Sequence, residues 1–249
     1  MTVELKSISK AFKCPGGEKQ VLCDLSLRVG RGRFVSLIGP SGCGKSTVFR
    51  IICGLLAPDR GEVLINGLPG VKPGGALSYM PQKDLLMPWR TVLDNVILPL
   101  EIDGLNKNAA REKALSLFPL FGLEGFEDNY PAELSGGMSQ RAALLRTVLA
   151  GRDIMLLDEP FGALDAITRF KMQQWLQEIW MKFGKTVLFI THDVEEAIFL
   201  SDHIYVMSPR PGTIKEEIPV PFGRPRAPSI VTEEGFVKLK ETLLKMLAF

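Results

Sequence analysis

Across 249 residues, 46% are apolar and 23% charged, a balance that suits one large α/β unit with a sizeable core and excludes a disordered chain. Thirty Lys and Arg against 28 Asp and Glu leave a formal charge of +2, too small to direct the chain to nucleic acid or anionic lipid. No run reaches the roughly 20 apolar residues of a membrane-spanning helix, residues 1–10 lack the apolar segment of a secretory signal, and four cysteines without C-x-x-C spacing beside two histidines argue against a zinc or disulfide framework, so a reducing cytosol is expected.

Val3 and Leu5 open an alternating pattern, and Val21, Cys23, Leu25, Leu27 and Val29 alternate with Leu22, Asp24, Ser26 and Arg28, which predicts half-buried strands. With residues 62–66, closed by Gly67, and residues 77–80, these segments are expected to form an antiparallel layer early in the chain. Residues 34–38, 154–157 and 187–190 are instead compact apolar runs, as expected of parallel strands covered on both faces. Between Asp84 and Ala150 the apolar spacing turns helical and is broken by Pro88, Pro99, Pro119 and Pro131, predicting an inserted helical sub-domain. Prolines between residues 209 and 228 make the late segment loop-rich, and residues 233–247 resume an amphipathic helix. The expected organisation is one unit over residues 1–249: a core from about 1–83 and 151–222, a helical sub-domain over about 84–150, and a tail with its helix over about 223–249.

Chemistry enters at Gly39, Pro40, Ser41, Gly42, Cys43, Gly44, Lys45, Ser46 and Thr47, which follow one apolar strand and precede a helical pattern, the context of a phosphate-binding P-loop. Its glycines let backbone N–H groups turn onto phosphates, Lys45 reaches the β- and γ-phosphates of ATP, and Ser46 can ligate Mg²⁺. Asp158 and Glu159 close another buried strand, at the end where ligands gather in open α/β sheets. Such a pair alone fits a helix cap equally well. Beside a P-loop, Asp158 suits Mg²⁺ and Glu159 suits polarisation of the water that attacks the γ-phosphate. Ser135 can cap a helix beginning at Gly136 or Gly137, giving a second set of free N–H groups for an anion.

The run Leu134, Ser135, Gly136, Gly137, Met138, Ser139, Gln140 and Arg141 resembles the signature sequence that sets ABC ATPases apart from other P-loop enzymes. The resemblance covers nearly the whole chain. Gln82 matches the family's Q-loop, Gly162 to Asp165 its D-loop and His192 its switch histidine at the γ-phosphate. What it implies is a RecA-like P-loop NTPase core with an N-terminal antiparallel layer, a catalytic set of Glu159, His192 and Gln82, and Mg²⁺ at Ser46, Gln82 and Asp158. It further implies that Ser135, Gly136, Gly137 and Asp165 close on ATP held by a second copy of the chain, giving a head-to-tail dimer. Phe12 aligns with the aromatic that stacks on adenine, although an ordinary core aromatic at the end of the first strand fits it as well. Leu85, Leu86, Met87, Pro88 and Trp89 lie where the family receives a transmembrane subunit, and both a docking surface and local core remain open for them.

Two departures, Met138 for the commoner Gln and Phe161-Gly162 for Leu-Ser, resemble the importer branch for nitrate, sulfonates and taurine, as do residues 83–95, 192–197 and 208–212. Residues 83–95 are also similar to importers of thiamine-precursor pyrimidines. The expectation is therefore an ATPase subunit that drives import of a small organic or anionic solute through a partner permease, held peripherally at the cytoplasmic face of the membrane and served by an extracytoplasmic solute-binding protein. The alternative is a soluble, non-transport ABC ATPase such as an iron–sulfur assembly subunit; a nucleic-acid partner is not expected, since there is no heptad run, zinc spacing or basic patch. A non-catalytic regulatory subunit conflicts with the joint presence of Lys45, Asp158, Glu159 and His192.

Overall fold

The computed structural model describes residues 2–15, 17–70, 75, 77–162 and 164–248. In chain order, β1 (Val3–Cys14) pairs with β2 (Gly17–Val29), β3 (Phe34–Ile38) leads into α1 (Lys45–Ile52), and β4 (Arg60–Ile65), β5 (Leu68–Pro69) and β6 (Leu77–Met80) follow. Four helices come next: α2 (Val92–Val96), α3 (Leu98–Ile102), α4 (Lys107–Leu115) and α5 (Gly136–Leu149). The chain then runs through β7 (Ile154–Asp158), α6 (Ala166–Phe183), β8 (Thr186–Ile190), α7 (Val194–Leu200), β9 (His203–Met207), β10 (Ile214–Pro219) and α8 (Glu234–Leu247).

Two sheets result. The first is antiparallel, in the order β2-β1-β4-β5, and the second runs β10-β9-β3-β8-β7-β6, parallel except for β10 at one edge. Because side chains alternate along a strand, the second sheet separates two cores. Phe34, Ile38, Met155, Leu157, Val187 and Phe189 face the core shared with α2 to α8. Val35, Leu37, Ile154, Leu156, Leu188 and Ile190 face the other, shared with α1 and the antiparallel sheet. The three compact apolar runs are thus buried on both faces, as their composition requires.

Two expectations are corrected. Residues 77–80 do not join the antiparallel layer, because β6 pairs in parallel with β7 at the edge of the second sheet, Leu77 opposite Ile154 and Met80 opposite Leu157. A four-residue strand carries no period that distinguishes one sheet from another. Leu22, read as outward-facing, is fully buried. One extra residue of β2 separates the pairs Ile8–Leu25 and Lys10–Leu22, and Asp24 within that bulge has φ +47°, so the facing of β2 changes below it. Strands β9 and β10 have no counterpart among the expected elements; β10 is a largely exposed, charged edge strand within the proline-rich segment, and its composition masks its pairing.

Candidate functional site

Residues 39–47 wrap from the C-terminal end of β3 into α1, and two packing constraints hold them there. Gly44 has φ +113°, and a Cβ on it would lie 2.7 Å from Leu22 Cδ2, so the turn admits only glycine. Lys45 begins α1 with its side chain folded back into the loop, Nζ donating to Gly39 O at 2.8 Å and Pro40 O at 3.1 Å. Its charge is thereby held against the loop carbonyls, and the residue is 7% exposed.

Beside the loop stand the ends of β7 and β8. Asp158 accepts from Ser46 Oγ at 3.4 Å and from the Tyr79 hydroxyl at 3.3 Å. Burial raises its pKa, an effect that the Ser46 and Tyr79 hydrogen bonds offset in part. Tyr79, on the edge strand β6, is a site residue that pattern reading did not find; burial and the Asp158 charge raise its own pKa and keep its hydroxyl a donor.

Glu159 follows with φ +47°, a conformation that side-chain-bearing residues seldom adopt and that is retained here by Glu159 N donating to Ile190 O at 2.9 Å. Its Oε2 accepts from Gln82 Nε2 at 3.0 Å and lies 3.4 Å from His192 Nδ1. Ser41, Gly42, Gly44, Lys45, Ser46, Thr47, Gln82, Glu159, His192 and Arg210 enclose one cavity of about 480 Å³. Residues up to 169 positions apart therefore meet around one space, with Arg210 as an unanticipated member. Cys43 is not exposed to that space but buried beneath the loop, where desolvation raises its thiol pKa against the pull of Lys45.

His192 is carried by a rigid connection. Asp193 caps α7 by accepting from Glu195 N and Glu196 N, at 2.8 and 3.3 Å. The buried Glu196 accepts from Thr191 Oγ1 at 2.5 Å and Gln173 Nε2 at 3.2 Å. Arg169 of α6 reaches Asp193 at 3.6 Å, Glu196 at 3.7 Å and, by a hydrogen bond of 3.0 Å, the carbonyl of Leu164. Leu164 is tied in this way to the turn that bears His192. Asp165 itself caps α6, and the amide of Thr168 that it accepts from helps lower its pKa; Ala163, between Gly162 and Leu164, lies outside the described residues.

Other predicted residues stay apart from this cavity. Ser135 Oγ accepts from Met138 N at 3.3 Å and caps α5 as expected, but Ser135 and Gly136 are exposed and do not line the space around Lys45. Gly137 packs near the start of α6, with Thr168 Cγ2 3.4 Å from where its Cβ would be. Phe12 is 37% exposed, which removes the core-aromatic reading, and lies opposite Lys19 in the β1–β2 ladder. Lys19, Gln20, Pro40, Ser41, Gly42, Pro209, Arg210 and Pro211 line a second cavity of about 540 Å³, which shares Ser41, Gly42 and Arg210 with the first.

The apolar cluster after Gln82 divides. Leu86 is buried, while Leu85 and Trp89 are 61% and 74% exposed. The loop that presents them is fixed from below: Asn95, fully buried, accepts from Met87 N and donates to the carbonyls of Met87, Arg90 and Thr91, and Arg146 of α5 donates to those of Asp84 and Leu85.

The sequence model of a family described as ABC transporter matches residues 22–162. The chain is 42% identical over 244 residues to the taurine import ATP-binding protein TauB of Pseudomonas aeruginosa, covering 96% of this chain and 93% of that one. It is 40% identical over 249 residues to the aliphatic sulfonates import ATP-binding protein SsuB of Bacillus cereus, covering 100% and 97%. The fold is similar to the dimeric structure of a post-hydrolysis state of the ATP-binding cassette MJ0796 bound to ADP and Pi, with a TM-score of 0.79 and 32% identity over 89% of this chain and 100% of that one.

Proposed function

The chain belongs to the ABC transporter family, and from that membership we propose that it is the ATP-hydrolysing subunit of an importer, acting as a pair of copies on a partner permease. The observation that carries this reading is the single cavity onto which the P-loop backbone, Lys45, Gln82, Glu159 and His192 converge, with Asp158 behind Ser46. Lys45 holds the β- and γ-phosphates while loop N–H groups fix their oxygens. Glu159 polarises the attacking water and takes up its proton, and Gln82 and His192 orient that carboxylate and the γ-phosphate. Positioning and charge neutralisation carry most of the acceleration, since phosphoryl transfer asks little covalent chemistry of the protein.

Mg²⁺ fits the donors that these residues present. Ser46 Oγ and Asp158 offer oxygen alone, and Asp158 is a buried carboxylate whose two hydroxyl partners do not fully compensate its charge. Ser46, Asp158 and Gln82 are the residues that would hold the ion, which when bound neutralises charge on the phosphates.

The exposed Ser135 and Gly136 support a second copy as the source of the remaining phosphate contacts: within one chain they stand away from the P-loop cavity, and at the start of a 14-residue helix they suit an anion brought to them. Among the described residues no helix is long and apolar enough to cross a membrane, so the solute path belongs to the permease. The relatives' names favour import of a small sulfonate-type anion over soluble assembly work; delivery by an extracytoplasmic solute-binding protein and attachment at the cytoplasmic face complete the proposal.

The test is gentle solubilisation of native membranes and identification of what copurifies with the tagged chain. Recovery of a multispanning permease, lost on detergent stripping, is expected; recovery of soluble partners alone would replace the importer reading with the assembly-type one. Trp89, held outward by a rigid loop, suits an anchor for that permease. Trp89→Ala is expected to weaken complex assembly by about 2 kcal/mol or more, roughly 30-fold, while folding stability shifts by no more than about 0.5 kcal/mol. Unchanged assembly, read by copurification, would move the docking surface elsewhere.

A further inference from the structure

The turn between β9 and β10 is built against the P-loop. Gly212 N donates to Val21 O at 2.8 Å and Cys23 N donates to Gly212 O at 3.1 Å, which fastens the turn to β2. A Cβ on Gly212 would lie 2.3 Å from the carbonyl oxygen of Cys43, so the two backbones are in direct contact. Within the turn, Ser208 Oγ accepts from Thr213 N at 2.9 Å and Ser208 N donates to Thr213 O at 3.0 Å. The turn is an ordered support.

From it Arg210 reaches back over the loop. Its Nε and Nη2 both donate to Gly42 O, at 3.0 and 2.6 Å. This fork uses one edge of a five-donor group, and no carboxylate pairs with the guanidinium among the described residues. The side chain is exposed, and it lines both the cavity around Lys45 and the neighbouring cavity on the Lys19 side. A nucleotide with its γ-phosphate at Glu159 and its base toward Phe12 has to pass the place where those cavities meet.

We propose that Arg210 is a second cationic ligand of the nucleotide's phosphate chain, set by its grip on Gly42 and working beside Lys45. Lys45 supplies charge from within the loop, and Arg210 supplies it from the outer side, where the guanidinium's remaining N–H groups can meet phosphate oxygens with directed, charge-assisted bonds. This inference rests on the nucleotide reading of the site. It assigns a binding role, because a group that holds ground state and transition state alike alters KM and leaves kcat nearly unchanged.

The experiment compares Arg210→Gln and Arg210→Lys with the parent chain, measuring binding of ATP and ADP by a fluorescent analogue and turnover in the permease-bound complex. Glutamine can still donate to Gly42 O but carries no charge; lysine keeps the charge. For Arg210→Gln the expected result is a rise of roughly tenfold or more in Kd and KM for ATP, with kcat within about twofold and melting temperature unchanged, while Arg210→Lys retains most of the affinity. Parental ATP affinity in Arg210→Gln overturns the proposal. Equal loss in both variants also overturns it, leaving Arg210 as a prop for Gly42 only. Failure of the parent chain itself to bind ATP is a different result: it removes the nucleotide reading, and this inference with it.

Discussion

Replacement of Glu159 by Gln is expected to lower ATP turnover by about 10²- to 10⁴-fold while ATP stays bound. The substitution preserves shape. Glu159 N donates to Ile190 O and Gly162 N donates to Glu159 O, at 2.9 and 3.2 Å, so the unusual φ of +47° is held by backbone bonds that the change of side chain does not touch. Gln82 Nε2 can donate to the new amide oxygen as it does to the carboxylate. What disappears is the group that accepts a proton from the attacking water. Because the phosphate ligands in the P-loop are unaltered, the variant should accumulate the ATP-bound pair of copies, visible as a nucleotide-dependent shift to dimer in size-exclusion chromatography alongside a phosphate-release assay. Parental turnover in this variant would assign the base elsewhere, with His192, 3.4 Å away, the next group to test.

The reach of sequence reasoning followed the distance over which each interaction acts. The P-loop is legible because its function is local: glycines where the backbone must turn, a lysine beside them, a strand before and a helix after. The cap at Ser135 is legible for the same reason, its side chain bonding the amide three residues on. Tyr79 and Arg210 carry no such mark. Tyr79 meets Asp158 across 79 positions, and Arg210 meets Gly42 across 168, by strand order and turn packing that no local pattern encodes. The failure at β6 is of this kind: its four residues are as apolar as the antiparallel strands before them, and only its pairing with β7 places Tyr79 beside Asp158.

The same distinction accounts for Leu22. Alternation is a sound guide until a bulge intervenes, and here the bulge at Asp24 turns Leu22 inward beneath Gly44, with Leu22 Cδ2 2.7 Å from the position that a Cβ on Gly44 would take. The irregularity that defeated the pattern is thus part of what confines the P-loop to glycine at that point. Arg169 adds the corresponding link on the far side of the site, joining Leu164 to Asp193 and Glu196.

Lys45→Ala is expected to act on the same nucleotide in the opposite sense to Glu159→Gln, by removing binding. Lys45 is 7% exposed and its ammonium is held by the carbonyls of Gly39 and Pro40, so its position is fixed before ATP arrives and little ordering is left to be done on binding. Alanine keeps the helical start of α1 but deletes the charge and the N–H donors proposed to hold the β- and γ-phosphates. Loss of charge-assisted bonds worth about 1.5–3 kcal/mol each corresponds to roughly 10- to 150-fold in Kd for each one lost. The fold should survive, because the bonds lost are to loop carbonyls and neither core is disturbed. Equilibrium binding of a fluorescent ATP analogue, run beside thermal unfolding, separates the two effects. Affinity that falls without a comparable fall in melting temperature places Lys45 on the phosphates; parental affinity would mean that the phosphates lie elsewhere, and the ATPase reading of the cavity would go with it. In the double variant Lys45→Ala/Glu159→Gln, the ATP-dependent dimer of the single Glu159 variant should vanish, since a pair of copies cannot be trapped around a nucleotide that neither copy holds.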